Sequence, residues 1–266
     1  MADGPLVVAA AALAVVPLVL AFLRDRPSDV GLLPYGATEP PPPVPPATLG
    51  PAKVALGGLR RASHQPAFWL LAGGFAICGA TTNGLIATHF VPAAHDHGMQ
   101  TTTAAGLLAL VGVFDVVGTI ASGWLTDRVD PRLLLAGYYG LRGLSLFTLP
   151  VLFSATPEAT MLLFIVFYGL DWAATVPPTV ALCREVFGSE ATVVFGWIFA
   201  SHQLGAAVAA SAAGLLRTEL GSYDLAWVGA GALCLAAAAL SLSLRPDRAA
   251  AAVAAAPAVT PAGSTR

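Results

Sequence analysis

Three charged side chains stand in the middle of long apolar runs: Asp115, Arg142 and Asp171. A charge at the centre of a bilayer costs at least about 2.5–3.5 kcal/mol on insertion scales, so such groups turn into a helix bundle and take a partner there. Asp115 and Arg142 fall on consecutive runs joined by a short link, which makes them the expected structural ion pair. That pairing leaves Asp171 as a carboxyl in excess. A buried carboxyl able to gain and lose a proton is what proton-coupled transport requires, and Asp171 is the candidate for that task. Arg142 also has the forked donor geometry that holds a carboxylate bidentately.

Other polar residues gather at the same depth. Asp115, Thr119 and Ser122 are spaced i, i+4 and i+7, on one side of a helix. Asp171 and Thr175 share a face, and Pro177 and Pro178 follow at once. Two prolines remove two amide donors from a spanning helix and free carbonyls that need other partners. A bend beside an acidic group suits a binding site or hinge, and equally a static packing kink. One run carries Thr81, Thr82 and Asn83, another Ser201, His202 and Gln203. His202 suits a proton relay by its ordinary titration range, while a neutral ring making one interhelical bond is the plainer reading. Ser201, Gly205, Ala209 and Ala213 recur every four residues, a small-residue stripe that lets helices approach closely. His89, His95, Asp96 and His97 would suit a metal only if they converged on one point. His95 and His97 could do so only from a loop, and no further ligand motif accompanies them. A solvated loop is the expectation there.

These side chains need a frame, and composition names it. Hydrophobic residues make up 56% of the 266 and charged ones 11%, against about 25% charged in soluble domains. A lipid-facing surface removes the need for polar cover. Cys78, Cys183 and Cys234 lie in separate apolar runs and read as small hydrophobes. The near-neutral charge of −2 and the absence of a basic tract exclude a nucleic-acid partner. A bilayer core about 30 Å thick needs roughly 20 helical residues to cross it. Seven runs qualify: 5–23, 66–90, 102–125, 132–153, 158–182, 192–216 and 223–244. Backbone in lipid satisfies its own hydrogen bonds, so each run is expected to be a helix. The first run lacks a basic start and a small-residue cleavage site, so it reads as a spanning helix, not a signal peptide.

Eleven of the 13 basic residues fall on one side of this arrangement: Arg24, Arg26, Lys53, Arg60, Arg61, Arg128, Arg132, Arg184, Arg245, Arg248 and Arg266. Only Arg217 lies on the other. Basic loops stay in the cytoplasm, so the N-terminus is expected outside and the C-terminus inside the cell membrane. The segments are then a first helix at 1–23, a cytoplasmic linker at 24–65, a six-helix bundle at 66–245 and a disordered tail at 246–266. The linker includes PPPPVPP at 40–46, which favours extended polyproline II.

One helix, a long cytoplasmic link and six more helices resembles the back half of a major facilitator superfamily transporter. The stretch GWLTDRVDPR at 123–132 is similar to the family's G-x-x-x-D-R-x-G-R loop motif, matched at Gly123, Asp127, Arg128 and Arg132. Asp130 and Pro131 replace its usual Gly-Arg step. RDRPSDVGLLPYG at 24–36 resembles the stretch after the family's sixth helix in bacterial members. Asp115 is similar in placement to an intramembrane Asp of the monocarboxylate and oxalate/formate branch, although Thr119 stands where that branch often has Arg.

The resemblance implies an all-α membrane fold and a secondary transporter with no cofactor. It makes the runs at 66–90, 102–125, 158–182 and 192–216 the lining of a solute pathway, with Asn83, Asp115, Asp171, Thr175, His202 and Gln203 facing it. It places Arg142 towards the periphery, which favours the structural pair. A small solute is the expected cargo, an organic anion moved with H+, through two halves that rock about a central site. Five of the family's helices are not in this sequence, so it is a fragment or split-gene product of a longer transporter, or it pairs with a complementary chain or a second copy. Other classes fare worse. A retinal-type protein needs a membrane-embedded lysine, and the one lysine, Lys53, lies in the linker. An intramembrane hydrolase built on the histidines has no nucleophile elbow or H-E-x-x-H. A half-carrier with a structural or regulatory role stays open.

Overall fold

The computed structural model describes residues 3–24, 27–33, 37–39 and 50–244, whose regular structure is helical with no strand among them. The polyproline stretch from Pro40 to Pro46 and the tail at 246–266 lie outside the described residues. Two units divide the chain, Met1–Leu49 and Gly50–Arg266. The first contains α1, Asp3–Phe22, apolar and interrupted only by Pro17, followed by a 3-10 turn at Pro27–Val30.

The second unit opens with α2, Pro51–Ala62, inside the stretch expected to be linker. Then come α3 (Pro66–Gly79), a π-helical segment (Ala80–Ile86) and α4 (Ala87–Asp96), continuous along one axis of 31 residues. Next are α5 (Thr101–Thr126) and α6 (Pro131–Leu152). They are followed by α7 (Ala159–Asp171) and α8 (Val176–Phe187), and by a 3-10 turn at Gly188–Glu190. Last come α9 (Ala191–Leu220) and α10 (Asp224–Ser243). Among the described residues four stretches are long and apolar enough to cross a membrane: Pro66–Asp96, Thr101–Thr126, Ala159–Leu220 and Asp224–Ser243. The third of these holds two of the predicted runs, because helical turns carry the chain through both junctions. α1 and α6 lie over the other two runs.

Glycine makes the bundle tight. α3 packs on α9, α5 on α7 and α6 on α10, and each contact is backbone against backbone. A Cβ on Gly205 would stand 2.0 Å from the Ala76 carbonyl oxygen, and one on Gly79 1.9 Å from that of His202. Gly118 meets the Leu170 carbonyl in the same way across α5 and α7. Gly143 and Gly231 face each other between α6 and α10. Lipid supplies no hydrophobic drive between helices, so this close van der Waals contact holds them together. The stripe at Ser201, Gly205, Ala209 and Ala213 lies in this seam, where Ser201 Oγ also donates to the Ala72 carbonyl at 2.8 Å.

Two apolar clusters fill the ends of the bundle. One gathers Phe90, Met99, Leu149, Met161 and Trp227, the other Phe68, Phe75, Leu135, Cys183 and Ile198. The buried polar residues Thr81, Arg142, Asp171, Thr175 and His202 belong to neither.

Candidate functional site

Pro177 and Pro178 carry no N–H, so the carbonyls of Ala173 and Ala174 lose their helical donors. α7 accordingly stops at Asp171, and α8 restarts at Val176 with proline in its first turn, where a missing donor costs nothing. Between them a four-residue turn exposes backbone polar groups deep in the bundle. Each must be satisfied inside the protein.

The polar residues of α5 and α6 supply the partners. Arg142 Nη2 donates to the carbonyls of Asp171 at 2.6 Å and Trp172 at 3.2 Å. Ser122 Oγ donates to Ala174 O at 2.5 Å, and the Ala173 N–H donates to Asp115 Oδ1 at 3.0 Å. The Val176 N–H closes on Ala173 O at 2.9 Å. Asp115 and Arg142, singled out by depth, and Ser122, singled out by its spacing from Asp115, thus hold one break in one helix.

Arg142 is fully buried and uses every nitrogen. Nε donates to Asp171 Oδ2 at 2.5 Å, and Nη1 reaches Cys78 Sγ at 3.2 Å and Thr81 Oγ1 at 3.4 Å. The rings of Tyr139 and Tyr168 lie 5.8 and 5.9 Å from its guanidinium carbon, and the Tyr168 hydroxyl donates to the Thr81 carbonyl at 2.9 Å. Thr175 is buried, with its Oγ1 3.3 Å from Cys78 Sγ. Asp171 Oδ1 is buried with no hydrogen-bond partner among the described residues.

The expected Asp115–Arg142 pair is therefore corrected: the salt bridge joins Arg142 to Asp171. Both carboxylates lie at the right depth, but the break puts two bare carbonyls beside Asp171, and a guanidinium satisfies carboxylate and carbonyls together. The carboxylate without a cation among the described residues is Asp115. It is half-buried and takes hydrogen bonds on Oδ1 from Thr119 Oγ1 and Ala173 N, both at 3.0 Å.

The remaining candidates scatter. His202 is buried with its Nδ1 3.0 Å from Gln203 Oε1, and its ring stacks on Phe199 and meets Phe75. Gln203 and Asn83 are exposed. Asn83 lies in the π-helical segment, where its carbonyl accepts from Thr88 Oγ1 five residues on. Sequence reasoning found Thr81 by its depth without assigning it to the charged centre, and missed Cys78 and Tyr168 as partners there, for which residue type offered no signal.

The loop-motif residues form a structural corner. Arg128 stacks over Trp124 with its carbon 4.1 Å from the ring, while Gly123 is half-buried and Asp127 exposed. Asp130 caps α6 by accepting from the Arg132 N–H at 2.9 Å and is forked by the Arg132 side chain. That hydrogen bonding holds its carboxyl below the usual carboxylate range. Arg132 Nη1 reaches across to the Leu244 carbonyl at 3.0 Å. The two positions that depart from the motif, Asp130 and Pro131, are the cap and first residue of this helix.

His95, Asp96 and His97 are exposed, as expected, but the expected loop is corrected: α4 runs through Asp96, and His97 follows as its C-cap. His89 is buried between Tyr223 and the Ala210 carbonyl, Asp96 is forked by Arg217 at 2.6 and 2.9 Å, and His97 bonds the Ala93 carbonyl. Among the described residues no group of three or more such ligands gathers to hold a metal.

A family model, Major Facilitator Superfamily, matches residues 4–210. The chain is 33% identical to monocarboxylate transporter 13 of Rattus norvegicus over 152 residues, 56% of this chain and 35% of that protein. It is 30% identical to an uncharacterized MFS-type transporter of Bacillus subtilis over 156 residues, 57% of this chain and 38% of that protein. Human monocarboxylate transporter 12 matches at 30% over 148 residues, 53% of this chain and 28% of that protein. The chain spans about a third of the length of these curated relatives.

Proposed function

The chain belongs to the Major Facilitator Superfamily, and from that premise we propose that it is the C-terminal part of a secondary transporter moving a small organic anion with H+ by alternating access. The observation that carries the coupling is Asp115. It is an intramembrane carboxylate, half-buried, with no cation partner among the described residues, and it touches the break between α7 and α8. An ionisable group of that kind is a functional site by default. Protonation of Asp115 weakens its hold on the Ala173 N–H, so proton binding acts on the broken helix. Asp171 serves the architecture instead, because Arg142 occupies it. Arg142 in turn has no donor left for a substrate. The monocarboxylate relatives support an organic anion as cargo.

Asn83 and Gln203 support a second half. Both are exposed within apolar helices, and polar groups at such a position suit a water-filled pathway or a polar neighbour, not lipid. That second half is a preceding segment of a longer chain, a complementary front-half chain or a second copy.

The test uses the chain co-expressed with a front half and reconstituted into vesicles. In Asp115→Asn, uptake driven by a proton gradient falls to background while exchange of substrate for substrate continues, since Asn keeps the shape of the protonated acid. Undiminished accumulation by Asp115→Asn removes the coupling role. A wild-type pair that neither accumulates nor exchanges any monocarboxylate favours the non-transporting half-carrier.

Orientation is checked by cysteine labelling at two exposed residues, Ser28 and His95. His95→Cys reacts with an impermeant reagent on intact cells, and Ser28→Cys only after permeabilisation. The reverse pattern overturns the placement of the basic loops in the cytoplasm.

A further inference from the structure

α2 is amphipathic in a way its packing does not use up. Ala55, Gly58, Leu59 and Ala62, spaced i, i+3, i+4 and i+7, form one face. Gly58 and Ala62 are buried, and a Cβ on Gly58 would meet Val193 of α9 at 2.8 Å. The Trp197 indole N–H donates to the Ala55 carbonyl at 2.9 Å, and Arg61 forks onto Glu190. These contacts pin the helix against the start of α9. Ala52 and Leu56 continue the apolar face to one side, and Leu56 is 59% exposed. Lys53 and Arg60 lie opposite the buried face, exposed, with no side-chain partner among the described residues. The twelve residues contain three cations and no acid.

Two tryptophans mark the level at which α2 lies. Trp69, near the start of α3, is 62% exposed, with its indole N–H on the Ser63 carbonyl at the α2–α3 corner. Trp124, near the end of α5, is 57% exposed. Consecutive spanning helices run antiparallel, so both rings stand at the same end of the bundle. Exposed tryptophans in such a row sit at the membrane–water boundary. A helix at that level with apolar side chains on its flank and free cations on its outer face fits an anionic lipid surface.

We propose that α2 is an interfacial helix that binds the phosphodiester headgroups of anionic phospholipids through Lys53 and Arg60, with Leu56 set among the acyl chains. The lipid thereby clamps α2 onto the start of α9 from outside, while Arg61–Glu190 and Trp197–Ala55 clamp it from within.

The test reconstitutes the full chain carrying Leu56→Cys, labelled with a fluorophore, in phosphatidylcholine vesicles. The native cysteines are buried. Brominated phosphatidylglycerol quenches the label at a lower mole fraction than brominated phosphatidylcholine, by about fivefold for each cation at the site. Lys53→Gln with Arg60→Gln abolishes the difference, and high salt reduces it. Ala52→Cys, on the same flank, serves as a second label position with the same expectation. Equal quenching by the two lipids, or a label quenched by aqueous iodide and by neither lipid, overturns the proposal.

Discussion

Replacing Arg142 with leucine should be the most damaging single change in the charged centre, costing roughly 3–5 kcal/mol through the uncompensated Asp171 carboxylate alone. The arginine does three tasks at once: it neutralises Asp171, donates to the Asp171 and Trp172 carbonyls, and bridges to Cys78 and Thr81 on the neighbouring element. This division makes the double variant informative. Arg142→Leu with Asp171→Leu removes the buried charge and should recover much of the loss. It should not recover all, because two carbonyls at the break stay without a donor, at about 1–3 kcal/mol for each buried group left unmade. Lysine does not substitute, since one ammonium cannot fork onto carboxylate and carbonyls together. Folded yield and apparent melting temperature in mild detergent, measured for both singles and the double, give the cycle. Full recovery in the double would show that the backbone bonds contribute nothing.

The second large effect belongs to a residue with no side chain. Gly205→Val puts a Cβ 2.0 Å from the Ala76 carbonyl oxygen and 2.7 Å from its carbon. The obstacle is backbone, so no rotamer change relieves it and α9 must move off α3. Overpacking of this kind costs about 3 kcal/mol or more, the upper end of its range. Gly112→Ala is the control. It lies inside α5 with nothing within 4 Å of the added atom, and there alanine gains roughly 0.5–1 kcal/mol of helix propensity. Equal melting temperatures for the two variants would remove the close-contact account of the α3–α9 seam.

The helices were legible because lipid leaves the backbone little choice, so a long apolar run and a helix are nearly one statement. Depth was legible for the same reason: position along a run is position across the bilayer. Direction around the helix axis was not. Asp115 and Asp171 were both rightly placed near Arg142 in depth, and only the side-chain geometry decides between them. The deciding factor, the Asp171 and Trp172 carbonyls left open at the break, was half visible: Pro177 and Pro178 forecast a break with free carbonyls near Ala173 and Ala174, but not that the two before them would open as well, nor which side chain would reach them. α2 carried a signal that went unused, with Pro51 at its first position and the Ala55, Gly58, Leu59, Ala62 spacing. The nearby proline tract drew the whole stretch into a single extended reading. The π-helical segment at Ala80–Ile86 had no signal in residue type, because one extra residue per turn leaves composition unchanged.

The order of the break's partners along the chain matters for how the protein is made. Cys78, Asp115, Ser122 and Arg142 all precede Trp172–Thr175. Synthesis runs from the N-terminus, so α3, α5 and α6 leave the ribosome before the interrupted segment does. When the two prolines reach the bilayer, the groups that satisfy the bared carbonyls and amide are already there. A circular permutation of the six-helix bundle alone, whose two ends lie on the same side, that moved α7 and α8 ahead of α5 would keep every contact of the finished bundle. It would also send an uncapped helix end into lipid first, and should fail at insertion although its folded form is unchanged.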